Sequence, residues 1–437
     1  MEGFLLLGIV GLLLVLILAG LPLVFSFGFV TLLAILITGV GFEFPPVTAF
    51  RSVNSFTLIA VPLFIFSGQL MSSAGISDRL IDFADALVGR IKGGLGPVVI
   101  LSSMFFGAIS GSSVATVATI GTVVLPRMEA LGYPRRYTTA LVGSCGILGQ
   151  LIPPSIPLIV YGMAAKVSIA ALFIAEIIPG IILATLFGII HYFSVRKLPL
   201  SSPYGEEKPT TGKIARTVAK RAYSGAWALM MPVVILGGIF SGVFTPTEAS
   251  AVAVFLAVVI GVFFYRKLKA KDIGTTAVTT GRAVGAVLIL LCIIAVFARI
   301  LNLIRVPQQI AELIVGLSEN KVIILLLVNL FLFMLGMLMD DVNGTLLAAS
   351  LLMPLMDRIG VNPLQFGAIL AVNLGLGGIT PPVAPNMFMA GVVANIPLPQ
   401  FMGYSVRFML FGCLPVVLLT TYVPQLTLFL PRLLGFI

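Results

Sequence analysis

The side chains able to do chemistry in this chain are oxygen-rich and gather at two matched places. Residues 149–157 read GQLIPPSIP and residues 377–385 read GGITPPVAP, each inside an apolar segment. Close by in sequence are AISGSSVAT at 108–116, with Ser110, Ser112 and Ser113, and DDVNGT at 340–345, with Asp340, Asp341 and Asn343. Thr380 adds a hydroxyl, and Gln150 and Asn386 add amides. Oxygen donors without His or Cys suit a hard monovalent cation such as sodium, not zinc or copper. No carboxylate pair stands at both places, so a proton relay is less favoured than sodium. Unwound backbone would add carbonyl oxygens for a cation, and half-helix N-termini would favour an anion.

The elements that position these groups follow from the prolines. Three prolines and a glycine in GQLIPPSIP cannot be continuous helix, because proline lacks the N–H and clashes with the preceding turn. A helix broken at membrane depth is tolerated only where the freed backbone faces protein or a water-filled cavity. The device is duplicated: Pro153 and Pro381, Pro126 and Pro354, and Gly132 and Gly360 are each 228 residues apart. VLPRMEALG at 124–132 also aligns with LMPLMDRIG at 352–360. Interrupted helices at matching places in two halves point to a transporter's binding site. Read singly, SGSS suits close helix packing as well as a site. Asp340 and Asp341 read singly could be solvated surface residues. The duplication favours the site.

Composition sets the class. Of 437 residues, 59% are hydrophobic and 10% charged, with a mean hydropathy of +1.16, which describes an all-α polytopic membrane protein. The formal charge of +10 is concentrated in a few loops and follows the positive-inside rule rather than nucleic-acid binding. The first 40 residues are too long an apolar run for a cleavable signal peptide. Cys145, Cys292 and Cys413 are widely spaced in apolar text and read as small buried hydrophobes. His191, the one histidine, and Tyr192 and Trp227 read as interfacial residues. GAISG at 107–111 is a possible serine setting for membrane-embedded catalysis. His191 belongs to another span without a supporting acid, so an enzyme is disfavoured.

In chain order, two spans within 3–40 are broken at Gly20-Leu21-Pro22, a polar interlude holds Glu43, Pro45 and Pro46, and a third span covers 55–71. An amphipathic arm at 77–92, with Ser77 and Asp78 able to cap it, leads to a re-entrant hairpin at 94–126 between basic flanks that include Lys92. A broken helix at 137–165 and a return span at 169–192 complete the first half, 1–193. A cytoplasmic linker at 194–221 holds Pro203, Gly205, Glu206, Glu207 and Lys208. The second half, 222–437, repeats the order: spans at 222–240, 248–265 and 278–299, an arm at 307–317, and a hairpin at 321–355. A broken helix at 364–392 and a last apolar stretch at 401–430 follow. Five spans and one hairpin per half make the second half inverted, with both termini outside. The first hairpin then opens inward and the second outward.

Five stretches resemble one family: FFGAISGSSVATVATIGTVVLPRMEALGY (105–133), GILGQLIPPSIPLIVYG (146–162), GGIFSGVFTPTEASAVA (237–253), LGMLMDD (335–341) and GGITPPVAPN (377–386). It is the large, DctM-like membrane subunit of tripartite ATP-independent periplasmic (TRAP) transporters. FTPTEAS, the most specific of these motifs, reads physically as a helix start, with Thr247 capping and Glu248 in the first turn. The resemblance implies two inverted-topology repeats of the ion-transporter-superfamily elevator type in the bacterial inner membrane. It implies sodium-driven import of an organic acid: a C4-dicarboxylate, sialic acid or another sugar or keto acid. A small four-helix membrane subunit, expected as a separate chain, and a periplasmic binding protein would be partners; no organic cofactor is implied. By position, Ser110, Ser113, Gly149 and Pro153 are implied as one sodium site and Asp340, Gly344, Gly377 and Thr380 as a second. Ser112, Gln150, Asn343 and Asn386 are implied to meet the substrate. Where the family often has Gly after TPPV, this chain has Ala384-Pro385-Asn386. A stand-alone carboxylate carrier driven by sodium or protons is the alternative.

Overall fold

A computed structural model describes residues 2–91, 93–200 and 211–437; Lys92 and the linker residues 201–210 lie outside them. The described chain is helical throughout, beginning with α1 (Glu2–Leu18) and α2 (Leu23–Thr38). They are separated at Gly20, whose φ of 84° a side chain would disfavour. The expected interlude at Glu43–Pro46 is instead the start of a helix, α3 (Phe44–Val53). Proline in a first turn costs no hydrogen bond, since that N–H has no intrahelical partner. A single 3₁₀ turn leads into α4 (Ala60–Ser73), bent 64° from α3.

The arm, α5 (Ile76–Val88), starts after Gly75, which holds φ 69° and makes no side-chain cap. Ser77 and Asp78 therefore do not cap it; both fall inside the helix, and Asp78 pairs with Lys267 at 3.2 Å. One α5 face buries Ile76, Leu80, Ile81 and Ala84. Its other face carries Asp82, which pairs with Arg127 at 3.2 Å and Arg221 at 2.9 Å.

The first hairpin is α6 (Leu95–Ser110) and α7 (Ser113–Ala130). The first broken helix is α8 (Arg135–Cys145), α9 (Leu148–Leu151) and α10 (Ile156–Ala165), bent by 41° between 135–151 and 156–165. Next comes α11 (Ile169–Val195). It runs past His191, which is not interfacial but buried: its Nε2 donates to the Gly93 carbonyl and its Nδ1 accepts from the Tyr137 hydroxyl, each at 2.8 Å. The far end of the linker is also helical, as α12 (Thr211–Ser224), joined at a 70° bend to α13 (Ala226–Phe240).

α14 (Pro246–Val259) continues through a π turn, Ile260–Phe264. Thr245, not Thr247, is its cap: Thr245 and Glu248 form a reciprocal capping box with Pro246 at the first helical position. Thr247 instead donates to the Phe56 carbonyl at 3.2 Å. The long α15 (Ala270–Leu303) precedes the second arm, α16 (Val306–Leu317). The second hairpin is α17 (Lys321–Leu338) and α18 (Asp341–Arg358), and the second broken helix is α19 (Pro363–Gly378) and α20 (Pro385–Ala394). The last apolar stretch is not one element: α21 (Met402–Phe408), a π turn and α22 (Leu414–Tyr422) end at Val423-Pro424, and α23 (Pro424–Leu433) packs back on α11. Among the described residues, five helices are long and apolar enough to cross a membrane, or up to eight if each bent pair is one span.

Packing explains why hairpins and breaks meet. In each half the entering hairpin helix lies on that half's broken helix, α6 on α9 and α17 on α19. The returning helices cross over: α7 packs on α20, and α18 packs on α10. On the other side α4 packs on α14 and α15, with α15 also against α2 and α3 and against α18 of the second hairpin.

Candidate ion and substrate site

The hairpin tips are turned by capped helix starts. At the first tip, Gly111 adopts φ 64° and Ser112 accepts from Ala115 N, beginning α7. At the second, Asp340 accepts from Asn343 N at 3.2 Å, beginning α18. Ser112 and Asp340 are thus equivalent caps at the 228-residue register. Their next residues meet across the repeat: Ser113 Oγ donates to Asp341 Oδ2 at 2.7 Å.

Each tip is also tied to the break of its own half. Ile156 N donates to the Gly111 carbonyl and Val383 N to the Met337 carbonyl, both at 3.3 Å. Glycine is required where these backbones touch. A Cβ on Gly377 would fall on the backbone of Gly336, and one on Gly107 would fall on that of Gly149. Both breaks contain a cis Pro–Pro bond, Pro153–Pro154 and Pro381–Pro382.

The polar atoms divide into spent and unspent. Asn343 Nδ2 donates to both oxygens of Asp340, at 2.9 and 3.1 Å, leaving Asn343 Oδ1 without a protein partner. Gln150 is fully buried and its Nε2 donates to the Ala371 carbonyl at 3.1 Å, bracing the first broken helix against the second. Its Oε1 has no protein partner, and neither have Asp341 Oδ1, Ser155 Oγ or either amide atom of Asn386. Asp341 Oδ1 and Asn386 Nδ2 both approach Gly378, each 3.5 Å from where a Cβ on it would stand. Thr380 donates to the Leu376 carbonyl at 2.8 Å and its N–H to that of Gly377 at 2.8 Å. Ser110, Gly149 and Pro153 are buried at the first tip and break, and Gly344 is buried inside α18 against Leu374. The site residues expected from the sequence thus fall around one junction, except that the Asp340 carboxylate is turned onto Asn343 rather than toward the opposite tip.

Asp341, named from the sequence with Asp340 as a tip carboxylate but not among the implied ligands, is the one that joins the tips, and the register maps Ser113 onto it. Ser155 was missed. Ser155 starts α10 without capping it, its hydroxyl buried. No Lys or Arg occurs in either tip (108–116, 335–345) or either break (149–157, 377–386).

These features define a polytopic helical membrane protein with its unspent oxygens gathered where two hairpins meet two broken helices. Residues 10–426 match the family described as Tripartite ATP-independent periplasmic transporter, DctM component, and the chain belongs to that family. It is a multi-pass transporter permease, not an enzyme. It is 35% identical over 411 residues to the isethionate TRAP transporter permease protein DctMQ of Oleidesulfovibrio alaskensis, covering 94% of this chain but only 64% of that protein's length. It is 35% identical over 387 residues to the C4-dicarboxylate TRAP transporter large permease protein DctM of Pseudomonas aeruginosa, 88% of each chain. The solved YdaH transporter of Alcanivorax borkumensis shares the fold, with a TM-score of 0.59 over 86% of each chain at 15% identity.

Proposed function

We propose that this chain is the carrier subunit that couples sodium entry to import of a small organic acid across the bacterial inner membrane. The observation that carries the reading is the Ser113–Asp341 bond, which joins the two hairpin tips beside unspent oxygens of Asp341, Asn343, Gln150 and Asn386. Those oxygens, with the hydroxyls of Ser110 and Thr380 and the backbone of Gly149, Pro153, Gly344 and Gly377, are an all-oxygen donor set of the kind sodium takes. Asp340 acts within it by capping α18 and holding Asn343. Ser112, Asn343 and Asn386 face the substrate, and Gln150 braces the two broken helices behind them.

Coupling follows from charge. With no Lys or Arg in tips or breaks, an anionic substrate lacks a protein counter-charge, so a co-bound cation raises its affinity. By linkage the substrate raises the cation's affinity equally. The two halves work as inverted repeats: hairpins and broken helices move as one body against α4, α14 and α15, in an elevator movement. A small membrane subunit and a periplasmic binding protein complete the system. Relatives named for isethionate and for C4-dicarboxylates support an organic anion as cargo.

The test is uptake into proteoliposomes holding this chain and its small subunit, with the binding protein outside. Uptake that requires both an inward sodium gradient and the binding protein supports the reading. Uptake indifferent to the binding protein indicates a stand-alone carrier, and uptake driven by a proton gradient removes sodium as the coupling ion.

A further inference from the structure

A cavity of about 550 Å³ lies between α3 and the last turns of α15, lined by charged groups that the ion and substrate site does not use. Glu43 stands at the start of α3, with Val47 and Arg51 one and two turns on, so the three share a face. Arg299 lines the cavity from α15. Among the described residues, neither guanidinium nor the Glu43 carboxylate makes a hydrogen bond or an ion pair. Two cations and one anion thus stand open around one space.

Their level in the bilayer follows from α15. Arg282 and Arg299 bracket a stretch without a charge, 283–298. At 1.5 Å per residue the two arginines are about 25 Å apart along the helix, close to the thickness of the hydrocarbon core. The Arg282 end lies toward the basic loop of Arg266, Lys267, Lys269 and Lys271, which the positive-inside rule assigns to the cytoplasm. Arg299 and the cavity therefore stand at the level of the outer headgroups. Phe42, Val47 and Phe50 are exposed beside the cavity, an apolar edge of the kind that acyl chains cover.

We infer that this cavity binds the headgroup of an outer-leaflet phospholipid, and that its charge pattern selects phosphoethanolamine. The phosphate sits between Arg51 and Arg299, and the ammonium sits against Glu43. Guanidinium groups pair with phosphate oxygens through two parallel N–H bonds, and a carboxylate accepts the protons of a primary ammonium. Phosphatidylglycerol brings no cation to Glu43, and the quaternary ammonium of phosphatidylcholine has no N–H to donate. A bound headgroup ties α3 to the end of α15. The inference needs only the placement in the membrane and stands apart from the carrier reading.

The experiment uses this chain copurified with its small subunit, delipidated in detergent and titrated with lipids of one acyl composition, with bound lipid counted by native mass spectrometry. Phosphatidylethanolamine is expected to bind roughly 3- to 10-fold more tightly than phosphatidylglycerol or phosphatidylcholine, and to raise the melting temperature. Arg51→Ala and Arg299→Ala are each expected to weaken that binding roughly 10-fold. Glu43→Gln is expected to bring phosphatidylethanolamine and phosphatidylglycerol within about 2-fold of each other. Equal binding of the three lipids, tighter binding of phosphatidylglycerol, or arginine variants that bind as wild type overturn the inference. A small subunit that covers the cavity abolishes the preference and overturns it as well. Soluble phosphoethanolamine that raises the melting temperature at the concentration sufficient for the lipid places a free metabolite there instead, and overturns the lipid assignment.

Discussion

The two breaks are built from the same text, yet they stand in opposite surroundings. At the first, Pro153, Pro154 and Ser155 are all buried, Ser155 with 0% of its surface accessible. At the second, Pro382 is exposed, Val383 is 43% accessible and Phe388, one turn into α20, is 63% accessible. Local sequence dictates a break and leaves its exposure to packing: α18 covers α10 and α7 covers α20 alike, and the exposed residues of the second break lie on the side that α7 leaves uncovered. A duplicated carrier that alternates between two sides must hold its halves unequally at any moment. On the proposed carrier reading, the difference between the breaks corresponds to one side of the transport cycle.

The largest expected effect breaks the comparison at its glycines. Gly377→Ala places a Cβ on the Gly336 backbone, whereas Gly149→Ala places one against the Thr116 hydroxyl, which is bonded to the Ser112 carbonyl, and against the Thr116 Cβ. Gly377→Ala should cost about 3 kcal/mol or more and Gly149→Ala about 2 kcal/mol, read as thermal melting of the purified protein in detergent. Equal losses would mean that the two contacts are alike.

Next in size is the pair of tip carboxylates. Asp341→Asn weakens the charge-assisted bond to Ser113 and should reduce sodium-driven uptake roughly 10- to 100-fold. Asp340→Asn keeps a capping side chain and should reduce it by less than about 5-fold; the reverse order would return Asp340 to the centre of the site. Smallest is the contrast between the amides. Gln150→Leu removes the bond to the Ala371 carbonyl that braces the two broken helices and should lower stability by about 1 kcal/mol. Asn386→Ala, whose amide bonds to no protein group, should weaken substrate affinity and leave melting unchanged. A stability loss in Asn386→Ala would show that its amide is structural.

Much of this was legible because proline, glycine and polar residues stand out in apolar text. Both hairpins, both breaks and the tips were placed within a few residues. What failed did so for local reasons. Glu43, Pro45 and Pro46 were read as a polar interlude between spans, although a first-turn proline begins a helix. Thr247 was taken as a cap, although a capping box places its cap three residues before Glu248, where Thr245 stands. His191 was placed at the interface because hydropathy falls there, but α11 continues and buries it against Tyr137 and Gly93. The cavity between α3 and α15 could not be read at all, since Arg51 and Arg299 are 248 residues apart and share a wall only through packing.

The most direct test of the account is the accessibility of the two breaks to a membrane-impermeant thiol reagent, in a Cys292→Ser background. At rest, Val383→Cys should react roughly tenfold or more faster than Ser155→Cys, the contrast expected of an exposed and a buried side chain. During turnover with sodium and substrate, Ser155→Cys should become reactive as Val383→Cys slows. If Ser155→Cys stays unreactive in every condition while transport proceeds, the breaks do not exchange roles and the account is wrong.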